Sequence, residues 1–237
     1  MLKAVIFDLD NTLYDYDAAH AVAWDSLRAF AAGALRVTPE QFDALHAAAD
    51  RVLRERTGGG CAAIHNRLLR YQMLLELIHQ PVGLAPEMAK LYWTALLAAM
   101  KPSPGAREAL RALKDMGLAT GVCTNMTADY QFEKLNRLGL MPMIDFVVTS
   151  EEVSAEKPDR RIFDFCAKKA GCASGECAFV GDQLKGDILG ALGAGMRPVW
   201  YCPKGADEAP GIDAVSIASL AALPELIASF QSEGARP

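Results

Sequence analysis

The sequence is poor in histidine, has no closely spaced cysteine pair, and contains no long apolar run. Its six cysteines (Cys61, Cys123, Cys166, Cys172, Cys177, Cys202) form no C-x-x-C, and none of its four histidines stands near them at zinc-finger spacing. That argues against a thiolate zinc site. Free thiols in a reducing cytosol are the favoured state, with a Cys172–Cys177 pair as the minority alternative. No stretch reaches the roughly 20 apolar residues of a membrane-spanning helix. The first apolar run, ending at Asp8, is too short for the core of a secretion signal, so the expected location is cytoplasmic. Basic clusters are also missing: 24 Lys and Arg stand against 29 Asp and Glu, a net charge of -5. A nucleic-acid partner is therefore not expected, because phosphate neutralisation needs concentrated positive charge. There is no G-x-x-x-x-G-K-[ST], H-E-x-x-H or G-x-S-x-G, so P-loop, zincin and serine-hydrolase chemistries have no support. Internal repeats and low-complexity tracts are absent too.

What is present is an ordinary soluble composition of 237 residues, 51% hydrophobic and 22% charged. At roughly 150 residues per domain, this allows one large domain or a domain carrying an insertion. Lys3 to Asp8 is a short apolar run ending in a carboxylate, the pattern of a strand buried on both faces. From Asp15 to about Met100 the period becomes helical, with stripes at His20, Trp24, Leu27 and Ala31, at Phe42, Leu45, Ala49 and Val52, and at Ile64, Leu68, Tyr71, Leu75 and Ile78. A further stripe runs through Met88, Leu91, Tyr92, Ala95 and Ala99. Thr38-Pro39-Glu40-Gln41 supplies a helix start, with a capping hydroxyl, proline at the first position and Gln three residues on. Gly58-Gly59-Gly60 interrupts the run, and Lys101-Pro-Ser-Pro-Gly105 ends it.

Thereafter helices and strands alternate. Strands are expected at Leu118–Thr124, Ile144–Thr149, Cys177–Gly181 and Arg197–Cys202. Helices are expected at Ala106–Met116, Thr127 to near Gly139, Asp159–Ala170 and Leu184–Ala194. Gln231–Pro237 is expected to fray. Such alternation implies an α/β fold with a doubly wound parallel sheet and right-handed crossovers. One strand precedes the helical block and the rest follow it, so that block is an insertion.

Ligands of open parallel sheets collect at the carboxyl ends of the strands. The residues there are Asp8, Asp10, Asn11 and Thr12; Thr124 and Asn125; Lys157; and Asp182 and Asp187. Carboxylates, a hydroxyl and a lysine converging on one rim would make a hard-oxygen Mg²⁺ site beside an anion site. That is equipment for phosphoryl transfer, in which positive charge must offset the repulsion between a carboxylate nucleophile and a phosphate.

The series Asp8-Leu-Asp10-Asn-Thr12, Thr124-Asn125, Lys157-Pro158 and Gly181-Asp182-Gln-Leu-Lys-Gly-Asp187 resembles, in order, the four motifs of the haloacid dehalogenase superfamily. The resemblance spans nearly the whole chain. It implies a Rossmann-like core at residues 1–14 and 104–237, with an α-helical C1 cap at residues 15–103. It further implies that Asp8 is the nucleophile forming an aspartyl-phosphate, and that Asp10 protonates the leaving alcohol and then activates water. Thr124, with backbone amides near Asn11, Thr12 and Asn125, would hold phosphoryl oxygens, and Lys157 would neutralise charge. Mg²⁺ would be held by Asp8, the carbonyl of Asp10 and Asp182, with Asp187 behind them. Haloalkanoate dehalogenases of the superfamily lack the second acid; Asp10 therefore argues for a phosphatase. Asp8 through Tyr14, and Thr149-Ser-Glu-Glu-Val153 before Lys157, are similar to the phosphatases of pyrimidine and modified nucleoside monophosphates.

The resemblance thus implies a small phosphorylated metabolite, first a nucleoside 5′-monophosphate, as substrate. Alternatives are phosphoglycolate, N-acylneuraminate 9-phosphate or another sugar phosphate, a phosphomutase reaction, or a non-catalytic binding protein on the same fold. Met126, where many of these enzymes have Gly, and Ser154-Ala155-Glu156 depart from the pattern and bear on the substrate. In the helical block, His65, Arg67 and Arg70 could meet a substrate's distal part, although the pattern favours a solvated helix face. Tyr14 and Tyr16 could stack on a base or sugar, or could simply pack. Gly190, Gly193 and Gly195 read as packing and a helix C-cap rather than a dinucleotide loop.

Overall fold

The computed structural model describes residues 1–58, 60–205, 211–212 and 214–233. Gly59, within the glycine interruption, and the tail beyond residue 233 lie outside the described residues. The chain divides into two compact units, Met1–Asp15 with Lys101–Pro237, and Tyr16–Met100. No helix among the described residues is long and apolar enough to cross a membrane.

The first unit is built on a sheet of β1 (Ala4–Phe7), β2 (Ala119–Thr124), β3 (Phe146–Thr149), β4 (Cys177–Gly181), β5 (Arg197–Tyr201) and β6 (Val215–Ile217). Among the described residues it is six-stranded, ordered β3-β2-β1-β4-β5-β6, with every pairing parallel. Wholly buried β1 lies between β2 and β4, where the chain, having built outward to β3, returns to the other side. The carboxyl ends of β1 and β4 thus form the switch-point crevice. Phe7 aligns with both Val122 and Val180, which brings Asp8, Thr124 and Asp182 to one edge of the sheet.

The helical unit, inserted between β1 and β2 in the chain, comprises α1 (Tyr16–Ala34), α2 (Pro39–Thr57), α3 (Arg67–Leu77) and α4 (Ala85–Ala99). The capping box at Thr38 forms as the sequence suggests. Gln41 N donates to Thr38 Oγ1 at 3.3 Å and Thr38 N to Gln41 Oε1 at 2.9 Å. α1 buries Ala19, Ala23, Leu27 and Ala31, so His20 and Trp24 lie at the margin of its buried stripe. On α3 the expected Leu68 is exposed while Arg70 is buried.

The remaining helices belong to the first unit: α5 (Ala106–Asp115), α6 (Ala128–Leu138), α7 (Ser150–Val153), α8 (Arg160–Ala170), α9 (Leu189–Gly193) and α10 (Leu223–Glu233). The apolar face of α8, with Ile162, Phe163, Cys166 and Ala167, packs on Cys123, Val148 and Phe179 of the sheet. Truncating a buried aromatic such as Phe163 to Ala would cost about 3–5 kcal/mol. Gly190 permits this packing, because a Cβ there would stand 2.6 Å from the Phe163 ring.

Three expectations change. The segment Leu184–Ala194 is not one α-helix: Leu184–Ile188 takes a wider π turn, with Asp187 N and Ile188 N both donating to Gln183 O at 2.9 and 3.2 Å. Gln231 is not frayed, since its amide bonds both Leu2 N and Leu2 O at 2.9 Å. β6 and α10 also went unanticipated, and β6, with only three residues, is too short to show a period. The described cysteines are free thiols, and Cys172 and Cys177 touch at 3.4 Å between sulfurs.

Candidate active site

β1 delivers Asp8 into the crevice, where its backbone N–H donates to Val180 O at 2.8 Å and locks it to β4. Asn11 takes a left-handed conformation (φ 62°), a strained geometry that Asn tolerates better than most residues and that turns the loop tightly after the strand. The turn brings Thr12 back beneath Asp8. Thr12 Oγ1 lies 3.4 Å from Asp8 Oδ2 and 3.5 Å from Asp182 Oδ1, at the outer limit of hydrogen bonding.

Lys157 enters from the loop after β3. Its Nζ donates to Asp8 Oδ1 at 2.5 Å and to Asp187 Oδ1 at 2.7 Å, and all three side chains are buried. Asn125 holds the backbone of this lysine: Lys157 N donates to Asn125 Oδ1 at 2.8 Å, and Asn125 Nδ2 donates to Lys157 O at 3.3 Å. The Asn125 side chain is thus an anchor for Lys157. The Lys157–Pro158 peptide is cis.

Past β4, Gly181 is required by close approach, because a Cβ there would fall 2.4 Å from Asp187 Oδ2. Both Asp187 oxygens are engaged, one by Lys157 and the other by Gln183 N at 3.1 Å. Trp200 Nε1 donates to Asp182 O at 2.9 Å and fixes the backbone of that residue. Asp8, Asp182 and Asp187 offer carboxylate oxygens all within 4.8 Å of one another, a group that could hold a metal ion.

Charge in this cluster is unbalanced, with three carboxylates against the Lys157 ammonium. Burial pushes the Asp8 carboxyl well above the usual carboxylate range, Lys157 opposes that shift, and Asp187, Asp182 and Asp10 add to it. Burial, with Asp187 next, pushes Asp182 up to about 6. For Lys157, burial alone would favour the neutral amine, but Asp187 and Asp8 outweigh it and hold the charge. Two unmatched negative charges on hard oxygens suit a divalent cation. Asp187, with both oxygens used, is the member least available as a direct ligand.

Asp10 lies apart from this cluster's hydrogen bonds. Its carboxylate accepts from Tyr14 Oη at 2.5 Å and from Lys134 Nζ at 2.7 and 3.1 Å. Burial raises its pKa, but Lys134 more than compensates and holds Asp10 below the usual value. Tyr14 is wholly buried in the first unit, where its ring packs and its hydroxyl is taken by Asp10. Thr124 Oγ1 accepts from Gln131 Nε2.

Sequence reasoning missed Lys134 and Gln131. They share the buried face of α6 with Leu135 and Leu138, while Phe132 on the same helix is 42% exposed. Two polar residues occupying an apolar stripe with a phenylalanine outside it was the available signal.

In the helical unit, Arg70 is no solvated side chain. It is buried, donates to Ile64 O, and pairs with Asp50 at 2.8 Å. Half-buried Arg67 donates through Nη2 to Tyr16 Oη at 2.8 Å and Tyr92 Oη at 3.0 Å. His65 is half-buried in a short 3₁₀ turn before α3.

The model of the haloacid dehalogenase-like hydrolases matches residues 2–195. A ribulose-1,5-bisphosphate 5-phosphatase of Halopiger xanaduensis is 37% identical over 216 residues, covering 88% of each chain. The pyrimidine 5′-nucleotidase YjjG of Escherichia coli is 27% identical, over 94% of this chain and 96% of its own. Among solved structures, a 2-haloacid dehalogenase from Pseudomonas syringae pv. Tomato superposes with a TM-score of 0.76 at 29% identity, covering 97% of this chain and 100% of that one. The parallel sheet, the crevice with Asp8, Lys157, Asp182 and Asp187 at its rim, and a family match over residues 2–195 agree: the chain belongs to the haloacid dehalogenase-like hydrolases.

Proposed function

We propose that this hydrolase is a Mg²⁺-dependent phosphomonoesterase that works through a phosphoryl group carried on Asp8. The observation that carries the reading is the pairing of a buried Asp8 with Lys157 inside a carboxylate cluster, with a second acid, Asp10, two residues further on. A halide leaving group needs no proton whereas an alcohol does, so the second acid at Asp10 favours phosphate-ester hydrolysis over dehalogenation.

An Asp8 oxygen attacks phosphorus, and the bond from phosphorus to the ester oxygen breaks. Lys157 offsets the negative charge gathered around the nucleophile, and the Thr124 hydroxyl, fixed by Gln131, is available to a phosphoryl oxygen. The departing oxygen takes a proton from Asp10. Asp10, now a carboxylate, accepts a proton from the water that attacks phosphorus, and the Asp8–phosphorus bond breaks to release phosphate. In the arrangement seen, Asp10 is in its base form against Lys134, so the donor step requires that ion pair to loosen. Asp8, the carbonyl of Asp10 and Asp182 would hold Mg²⁺, which when bound supplies positive charge against the phosphoryl oxygens. The helical unit would serve as a cap.

The order of substrates shifts from the sequence reading. The relative at 37% identity is named for a sugar bisphosphate and the nucleotidase stands at 27%, so a small phosphorylated sugar becomes the first candidate and a nucleoside 5′-monophosphate the second. The deciding experiment is phosphate release from sugar phosphates, nucleoside monophosphates and phosphoglycolate, with Mg²⁺ and with EDTA, beside Asp8→Asn. Metal-dependent release lost in the variant is expected. Release that persists in Asp8→Asn would sink the mechanism.

A further inference from the structure

The helical unit holds a cluster that the reaction just described does not use. Arg67, at the start of α3, has phenol oxygens as its hydrogen-bond partners, both bonded through Nη2, and its guanidinium carbon stands 4.3 Å from the Tyr92 ring centroid. Nη1 and Nε make no hydrogen bond to the described residues, and no described carboxylate pairs with this arginine. The neighbouring acid is already committed, since Asp50 bonds Arg54 at 2.7 Å and Arg70 at 2.8 Å.

The groups that Arg67 bonds are phenols rather than carboxylates, and Asp17 acts electrostatically on the neighbouring His20. Tyr16 stacks on His20 at 5.4 Å, and His20 Nδ1 lies 2.8 Å from Tyr92 Oη. Ring contacts continue from His20 through Trp24 to His46 and Tyr71. Burial, with Arg67 next, depresses His20 to about 4, and burial with Arg70 and Arg67 depresses His46 to about 3, so both rings are neutral at pH 7. Two buried atoms of this cluster, Tyr71 Oη and His46 Nε2, have no hydrogen-bond partner. A half-buried guanidinium that bonds phenols through Nη2 alone keeps N–H donors available to an anionic ligand.

We propose that Arg67, with Tyr16 and Tyr92, forms a binding site for a phosphate-type oxyanion. The planar guanidinium retains N–H donors for such a group, and the phenols position it. The oxyanion has two possible sources, a second phosphate of the substrate or free inorganic phosphate.

The test uses the full chain as wild type, Arg67→Met and Arg67→Lys, with inorganic sulfate as an unreactive stand-in for phosphate. In the first arm, thermal unfolding is followed while millimolar sulfate replaces chloride at constant ionic strength. Sulfate should raise the wild-type midpoint, raise that of Arg67→Lys less, and raise that of Arg67→Met least. In the second arm, kcat/KM is compared for a sugar bisphosphate and the matching monophosphate. A ratio that falls about tenfold or more in Arg67→Met assigns the site to the substrate's second phosphate. A sulfate response lost without a change in that ratio assigns it to the free anion. Equal sulfate responses in all three proteins together with an unchanged ratio overturn the proposal. Should Arg67→Met fail to fold, Arg67→Lys carries both arms. If no ester is hydrolysed, the phosphatase reading fails while the sulfate arm still decides the anion site.

Discussion

Lys134 Nζ lies 2.7 and 3.1 Å from the two carboxylate oxygens of Asp10, across 124 residues of chain, and the lysine is completely buried. The pair joins the first-motif loop to α6, whose Gln131 also fixes Thr124. A buried lysine is tolerated only when paired, and Asp10 is that partner.

Replacing Lys134 with Met should therefore act on both stability and turnover. Breaking a buried pair costs about 3–5 kcal/mol, and because the Asp10 side chain is 27% exposed the expected loss is about 1–3 kcal/mol. Phosphate release should fall about 10²-fold, the lower range for a misplaced acid–base group. Thermal melts and kcat measured on the same preparations check this, and Lys134→Arg should recover part of both losses.

Gly181→Ala should act through Asp187. Its new Cβ would occupy the space 2.4 Å from Asp187 Oδ2, so the carboxylate must shift and Lys157 loses part of its anchorage. We expect a stability loss of about 1–3 kcal/mol, together with slower turnover. Wild-type kcat in the variant would show that the crevice can repack.

Divalent metal should stabilise the protein in a pH-dependent way. Asp182 is raised to about 6, above its unfolded value, so this group contributes stability below pH 4 that is lost as pH rises through 6 in metal-free protein. Bound metal reverses the balance, because it requires the carboxylate form. Mg²⁺ should raise the unfolding midpoint more at pH 7.5 than at pH 5, and in Asp182→Asn that increment should shrink. An equal shift at both pH values would contradict the assignment.

Acid should weaken the helical unit through its histidines. His46 is depressed to about 3 when folded, so its contribution is complete above its unfolded pKa near 6.5 and disappears as pH falls toward 3. At pH 5 the loss is about 2 kcal/mol. Denaturant titrations at pH 7 and pH 5 should show a larger drop for wild type than for His46→Gln; parallel drops would mean that other groups dominate.

Much of the first unit was legible in the sequence because its signals are local. A strand buried on both faces reads as a short apolar run, and a parallel sheet obliges each such run to end at the same rim, so Asp8, Thr124, Lys157 and Asp182 could be grouped before any coordinates. The Thr38 capping box was legible for the same reason, since its partners are three residues apart. The wider turn at Leu184–Ile188 was not, because it depends on Asp187 turning inward to a lysine 30 residues away.

The residue types at the rim, and with them the kind of chemistry, are properties of the sequence alone, because strand periodicity dictates which side chains reach a strand's end. Tertiary structure decided the pairings. Lys134 and Arg70 carry charges that one-dimensional patterns assign to solvent; α6 buries the first against Asp10, and the bundle buries the second against Asp50. Burial of a charge depends on a partner far away in the chain, and that partner is brought within reach only when the helices pack.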